Sequence, residues 1–394
     1  MNQRGAVKRK RTEERALRAT LAAEAPALAG LATLAIVYLF HERLFADLHN
    51  YPLTILLFVW LFGTLLWCAF NVVRHADAVA EHLGDPYGTL VLTLSVTVIE
   101  VSVLASVMLH GDNNPTLARD AMFATLMIAL NFMVGVALVM GALRYFEQEY
   151  NLAGARAYLS VIAALAVFTL VLPTFMQTEP DPSQAPYQTF LFAAMPLLFY
   201  AVFLMIQSVR HGAFFAEPAP GGKTATAKKI AAVKPERPYH GAEGGSVGYH
   251  VTMLIATLIV VVLLAEYLAI IVDFGLEDLD LPDALGGVMI AILVLSPEGL
   301  TAFQAALDNR LQRAVNVCLG SALATIGLTV PAVLIIGLIT GREVHLGLDP
   351  VETILLLLTL FVSGLTFGGA RTNVLQGLVH LALFIVYVAL IFSP

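Results

Sequence analysis

Residues 88–109 read GTLVLTLSVTVIEVSVLASVML, and residues 286–307 read GGVMIAILVLSPEGLTAFQAAL. Each is an apolar run long enough to cross a bilayer. Each carries one carboxylate near its middle, Glu100 and Glu298. A charge at the bilayer midplane costs at least about 2.5–3.5 kcal/mol on insertion scales, so it is retained where it has a role. Paired on segments that cross in opposite directions, two such carboxylates suggest a cation site inside a secondary transporter.

The rest of the chain supports a membrane setting. Of its 394 residues, 58% are hydrophobic and 13% charged, against about 25% charged in a soluble domain. Apolar runs near the length of a transmembrane helix dominate, which excludes a barrel of short alternating strands. The reading is an all-α polytopic membrane protein with eleven spans, near 26–46, 51–73, 87–110, 120–143, 157–176, 187–208, 248–272, 286–308, 314–340, 351–369 and 374–392. The N-terminal MNQRGAVKRKRTEER lacks an adjacent apolar region and a cleavage site, so residues 1–25 read as a basic cytoplasmic tail rather than a signal peptide. Cys68 and Cys318 fall in separate spans and form no metal or redox motif.

Loop charge sets the orientation. With the N-terminus inside, all of the 22 Lys and Arg residues except Arg43, Arg119 and Arg342 lie on the cytoplasmic side, as the positive-inside rule requires. An odd number of spans then places the C-terminus outside. The loop 209–247 is rich in Ala, Pro, Gly and Lys and has little to bury. It reads as a flexible cytoplasmic linker, a solvated tether. It divides the chain into 51–208 and 248–394, five spans each. Five is odd, so the two groups have opposite orientations: two inverted repeats behind one N-terminal helix.

At 1.5 Å per residue, Glu100 lies about 20 Å into a helix of about 35 Å, and Glu298 lies at a similar depth from the other side. Thr93, Thr97 and Glu100 share one helical stripe, and Glu298 shares a face with Thr301. Pro297 removes a backbone N–H and pushes away the Leu293 carbonyl, so a helix break there would offer that carbonyl, the Ser296 hydroxyl and the Glu298 carboxylate to a cation. An all-oxygen set suits a hard cation such as Ca2+, and no Cys/His cluster favours zinc or copper. Protons can compete for the same carboxylates, which suffices for antiport. Asn131 could add an amide oxygen, an interhelical hydrogen bond being equally expected. Ser321 and Thr325 read first as hydroxyls bonded to the carbonyl four residues back, and second as ligands. His380 reads as a packing histidine before a proton relay. The basic cluster lacks interleaved aromatics, so nucleic acid is not an expected partner. No phosphate-binding glycine loop appears. No resident cofactor is expected, the ions being cargo, and the oligomeric state is left open.

Four segments carry a resemblance: GDPYGTLVLTLSVTVIEVS, GALRYFEQEYNLAGARAYLSVIAALAVFTLVLPTF, LVLSPEGLTAFQAALDNRLQRAVNVCLGSALATIGLTVP and GGARTNVLQGLVHLALF. In that order they resemble the cation/proton exchanger (CAX) family of calcium/proton antiporters, in its ChaA-like bacterial branch. The resemblance implies eleven helices, ten of them in two inverted repeats, with Glu100 and Glu298 as the paired acidic residues. It implies a multi-pass protein of the bacterial plasma membrane that exports Ca2+, with Na+ or K+ also carried in the ChaA branch, in exchange for H+. Where the wider family has a Gly-Asn pair before each glutamate, this chain has Thr97-Val98 and Leu295-Ser296, so hydroxyls stand in for amides. Gly368-Gly369-Ala370-Arg371 replaces the Asp-Gly that often precedes the last helix. The central loop bears lysines where many relatives are acidic. The expectation is a Ca2+/H+ antiporter. Its rivals are a Na+(K+)/H+ antiporter and, in another class, a passive cation channel, which the absence of an evident pore loop disfavours. No constellation supports an intramembrane enzyme.

Overall fold

Eleven apolar helices build the protein, as a computed structural model describes it over residues 22–84, 87–110, 115–176, 185–218, 246–369 and 371–392. The helices are α1 Ala25–Leu44, α2 Tyr51–Leu83, α3 Tyr87–His110, α4 Leu117–Tyr145, α5 Leu152–Phe175, α6 Ala185–Met205, α7 Val247–Asp278, α8 Ala284–Leu307, α9 Leu311–Thr340, α10 Pro350–Thr366 and α11 Val374–Ile391. Ten have the length and composition of a membrane span, and α10 is a shorter apolar helix. Behind α1, five helices (α2–α6) precede the central loop and five (α7–α11) follow it. The basic tail as far as residue 21, and residues 219–245 of the central loop, lie outside the described residues.

Leucine, valine and alanine fill most of each helix, so burial rather than amphipathic patterning decides which face packs inward. The core is one apolar cluster drawn from both groups, with α4 its most enclosed helix. Small residues let backbones meet inside it, as they do where membrane helices cross closely. A Cβ at Gly287 of α8 would stand 2.6 Å from the Ala121 nitrogen of α4. Gly135 of α4 and Gly377 of α11 meet in the same way, each facing the carbonyl oxygen of the other.

Three helices contain π-helical turns within or close to their middles: Ile128–Met133 in α4, Val167–Val171 in α5 and Thr325–Thr329 in α9. Such turns insert a residue, re-aim the side chains around them and recur at functional sites. Those of α4 and α9 occupy corresponding helices of the two groups. The expected break at Pro297 is absent: α8 runs uninterrupted from Ala284 to Leu307 with the proline inside it. Irregularity is carried instead by the helices that pack against α8.

The central loop also begins later than expected. Residues 212–214 form a 3-10 turn. Phe215 packs edge-on against Tyr158 at 5.3 Å, and Asn316 Nδ2 donates to the Phe215 carbonyl at 2.7 Å. The buried Phe215 side chain anchors this stretch, so it is docked rather than a free tether. On the same end of the molecule a two-residue antiparallel pairing, Gln148–Glu149 with Arg371–Thr372, ties the α4–α5 connection to the α10–α11 connection.

A buried polar cluster holds α1 against the first helix of each group. The Glu24 carboxylate accepts from Arg74 Nη2 at 2.6 Å and from the Tyr249 hydroxyl at 2.6 Å. His75 Nε2 lies 3.0 Å from it, while His75 Nδ1 faces His250 Nδ1 at 2.9 Å. Burial alone would raise the Glu24 pKa, but Tyr249, His75 and Arg74 together outweigh it and hold the carboxyl below its ordinary value. A depressed carboxylate stabilises the fold above its unfolded pKa and stops doing so as pH falls through the folded value. Removing one partner of a buried charge cluster costs about 3 kcal/mol or more. Glu24→Ala is therefore expected to lower the thermal unfolding midpoint in detergent clearly. An unchanged midpoint would mean that apolar contacts alone hold α1.

Candidate functional site

Glu100 and Glu298 both turn to hydroxyls of α9, near enough for Glu298 to feel the charge of Glu100. Glu100 is 4% exposed. Its Oε2 accepts from the Thr329 hydroxyl at 2.8 Å and the Thr325 hydroxyl at 3.3 Å, both from the π turn of α9. Thr125 of α4 flanks the same carboxyl. Among the described residues, Glu100 Oε1 is sealed from solvent and has no hydrogen-bond partner. A buried carboxylate oxygen in that state needs a proton or a cation.

Glu298 is half-buried and differs in surroundings. Its Oε2 accepts from the Ser321 hydroxyl of α9. It also lines a cavity of about 250 Å3, together with Thr93, Thr301, Tyr200, Ser321 and Gln207. The cavity opens at the end of the molecule where α2 carries Asp77 and α9 begins near Arg313. One carboxylate is therefore enclosed and the other faces a cavity.

The remaining expected ligands divide. Ser321 and Thr325 do not bond back to their own helix as first expected; Ser321, in the regular part of α9, turns to Glu298, and Thr325, at the start of the π turn, turns to Glu100. Ser296 does the reverse and donates to the Ile292 carbonyl at 2.5 Å. Thr301 donates to the Pro297 carbonyl at 3.0 Å while still lining the cavity. Inside an apolar helix the nearest acceptor for a short hydroxyl is the carbonyl one turn back, and both residues take it. Pro297 withdraws the N–H that would ordinarily meet the Leu293 carbonyl, but within an unbroken helix. Thr97 is buried on the Glu100 helix, and Thr93 is a hydrogen-bond partner of Tyr200.

Asn131 and His380 sit in a second, separate network. Asn131 Nδ2 donates to Thr359 at 2.9 Å, its Oδ1 lies 3.2 Å from His380 Nδ1, and His380 Nε2 lies 3.0 Å from Thr366. These four side chains are at most 3% exposed. They tie the π turn of α4 to α10 and α11 rather than joining the glutamates.

Thr329 and Thr125 were not among the expected residues. Thr329 extends the spacing of Ser321 and Thr325 by four more residues, a stripe visible in the sequence. Thr125 follows Ala124 in α4 just as Thr325 follows Ala324 in α9, a local echo between corresponding helices.

Comparison with known proteins follows the same lines. The sequence profile of the family described as sodium/calcium exchanger protein matches residues 53–209 and 249–393. The ionic transporter y4hA of Sinorhizobium fredii is 41% identical over 333 residues, covering 84% of this chain and 87% of its own. The sodium-potassium/proton antiporter ChaA of Escherichia coli is 37% identical over 361 residues, covering 91% and 94%. The structure of native YfkE superposes with a TM-score of 0.70 at 18% identity, over 94% of this chain and 99% of that one, a likeness of fold. With its profile match running through both five-helix groups, the chain belongs to the sodium/calcium exchanger protein family, among ChaA-like cation/proton antiporters, and is a secondary transporter of the inner membrane rather than an enzyme.

Proposed function

We propose that the protein exports Ca2+ from the cytoplasm in exchange for H+, with Glu100 and Glu298 binding cation and proton alternately. The observation that carries this reading is the unpartnered, sealed Oε1 of Glu100 beside a second carboxylate that reaches water. Two carboxylates neutralise a divalent charge, and the hydroxyls of Thr325, Thr329 and Ser321 supply further hard oxygens. A cation and a proton that compete for one carboxylate pair are coupled without any additional device, provided the site opens to one side at a time. The Leu293 carbonyl, Thr97 and Thr301 remain secondary oxygens at the edge of the site. Ser296 is assigned to its own helix, and Asn131 and His380 to packing.

Loop charge places the N-terminus, Asp77 and Arg313 in the cytoplasm. The vestibule at Glu298 is then the inward-facing entrance, and 51–208 and 248–394 are the two units that rock about the site. A second reading, Na+(K+)/H+ exchange, is favoured by one observation. The relative with 37% identity carries the description sodium-potassium/proton antiporter, whereas YfkE, at 17–18% identity, is described as a Ca2+/H+ antiporter. A donor set of hydroxyls rather than amides suits either cation.

In inside-out vesicles with an acid interior, added Ca2+ is expected to dissipate the pH gradient, and Glu100→Gln or Glu298→Gln to abolish that response. Normal transport by both variants would refute the site. Parallel runs with Na+ and K+ decide between the two readings. A hydrogen bond to a charged group contributes about 1.5–3 kcal/mol, so Thr329→Val should lower exchange about tenfold or more, whereas His380→Gln should lower thermal stability and leave proton coupling intact. Loss of coupling in His380→Gln would place that histidine on the proton path.

A further inference from the structure

The vestibule that leads to Glu298 has a charged rim. Among the described residues, three ionisable side chains other than tyrosine line it: Glu298, Asp77 and Arg313. Arg313 stands near the start of α9, eight residues before Ser321, or about 12 Å along the helix. Asp77 stands near the end of α2, less than two turns before Leu83. Both therefore lie nearer the mouth than Glu298 does. Asp77 keeps solvent contact although protein surrounds most of its carboxyl, and it feels the charges of Arg313 and of Glu81, one turn further along α2. Glu217 approaches Arg313 from the other side, its Oε1 accepting from the Arg313 backbone N–H at 3.3 Å.

A guanidinium beside the entrance of a cation path is an obstacle. Val73, Leu92, Phe203 and Leu204 give the vestibule apolar walls. A cleft with such walls focuses the field of the few charges in it and alters the rate of ion entry by about tenfold or more. We propose that Asp77 is the entry carboxylate of the transport path, balancing Arg313 and holding a hydrated cation at the rim before it passes to Glu298. The ligand class is a hydrated inorganic cation held by charge, without stripping of its water. This assignment rests on the antiport reading of the Glu100–Glu298 site.

Initial rates in inside-out vesicles, at fixed pH and over a range of Ca2+ and of Na+ concentrations, test it. Asp77→Asn should raise the KM for the transported cation about tenfold and leave Vmax within about twofold. Arg313→Gln should lower KM, the double variant should return close to the parent value, and Asp77→Glu should resemble the parent. The KM differences should shrink when N-methylglucamine chloride raises the ionic strength, since exposed charges are screened. A structural role for Asp77 would produce neither the opposite sign in Arg313→Gln nor the salt dependence. An unchanged KM in Asp77→Asn, a raised KM in Arg313→Gln, or a KM change indifferent to salt would overturn the proposal. If Asp77→Asn does not accumulate, Arg313→Gln alone decides, a lowered KM supporting the assignment and an unchanged or raised one refuting it. Glu298→Gln run alongside separates the failures. Its inactivity together with an unchanged KM in Asp77→Asn defeats only the entry role, whereas its normal activity defeats the site itself.

Discussion

One carboxyl oxygen with no partner sets the terms for the rest of the molecule. Glu100 is enclosed by apolar helices, and only one of its two oxygens is satisfied by hydroxyls. A bare carboxylate in low dielectric is among the costliest groups a fold can contain, so this position is stable only when a proton or a cation occupies it. On the proposed reading, exchange follows from that constraint. The site does not need to prefer one ion strongly over the other; it needs to be intolerable when empty, because an empty site cannot then cross the membrane unaccompanied.

Several features of the architecture serve this constraint. The donors to Glu100 come from α9, in the other five-helix group, so the site is a joint between the two groups rather than a pocket within one. Thr325 and Thr329, at the two ends of the π turn of α9, both reach Glu100, and Thr125 meets the same carboxyl from the regular helix just before the π turn of α4. Glycine contacts at Gly287 and Gly135 let α4 lie close to α8 and α11, so the helix that flanks Glu100 is held on both sides. The two carboxylates are unequal. Glu298 lines the cavity and Glu100 does not, an asymmetry that, on the proposed reading, gives entering and leaving ions an order.

Much of this was legible in the sequence, for particular reasons. Apolar runs of transmembrane length have few alternative readings, and all eleven expected spans are helices in the structure. A carboxylate isolated in such a run is conspicuous, which is why Glu100 and Glu298 stood out. Hydroxyl residues were not legible in the same way. A serine or threonine in an apolar helix can bond its own backbone or reach a neighbour, and sequence spacing does not distinguish the two. Ser296 and Thr301 chose the backbone, and Ser321 and Thr325 chose the glutamates. The deciding factor was whether a carboxylate of a neighbouring helix lay within reach, and for Thr325 and Thr329 a π turn besides, an insertion that has no reliable signature in one sequence. The expected break at Pro297 failed for a related reason: a proline costs one hydrogen bond but need not end a helix that its neighbours hold in place. The Glu24 cluster joins residues from three distant segments, and only the packing of α1 across α2 and α7 brings them together.

The central claim is that cation and proton compete for one carboxylate pair, and proton release on cation binding tests it most directly. Ca2+ or Na+ added to the purified protein in weakly buffered detergent solution, with a pH indicator present, should release protons as it binds. The doubly substituted Glu100→Gln, Glu298→Gln protein should release none. Cation binding by the unmodified protein without proton release, or equal release from the doubly substituted protein, would contradict the account.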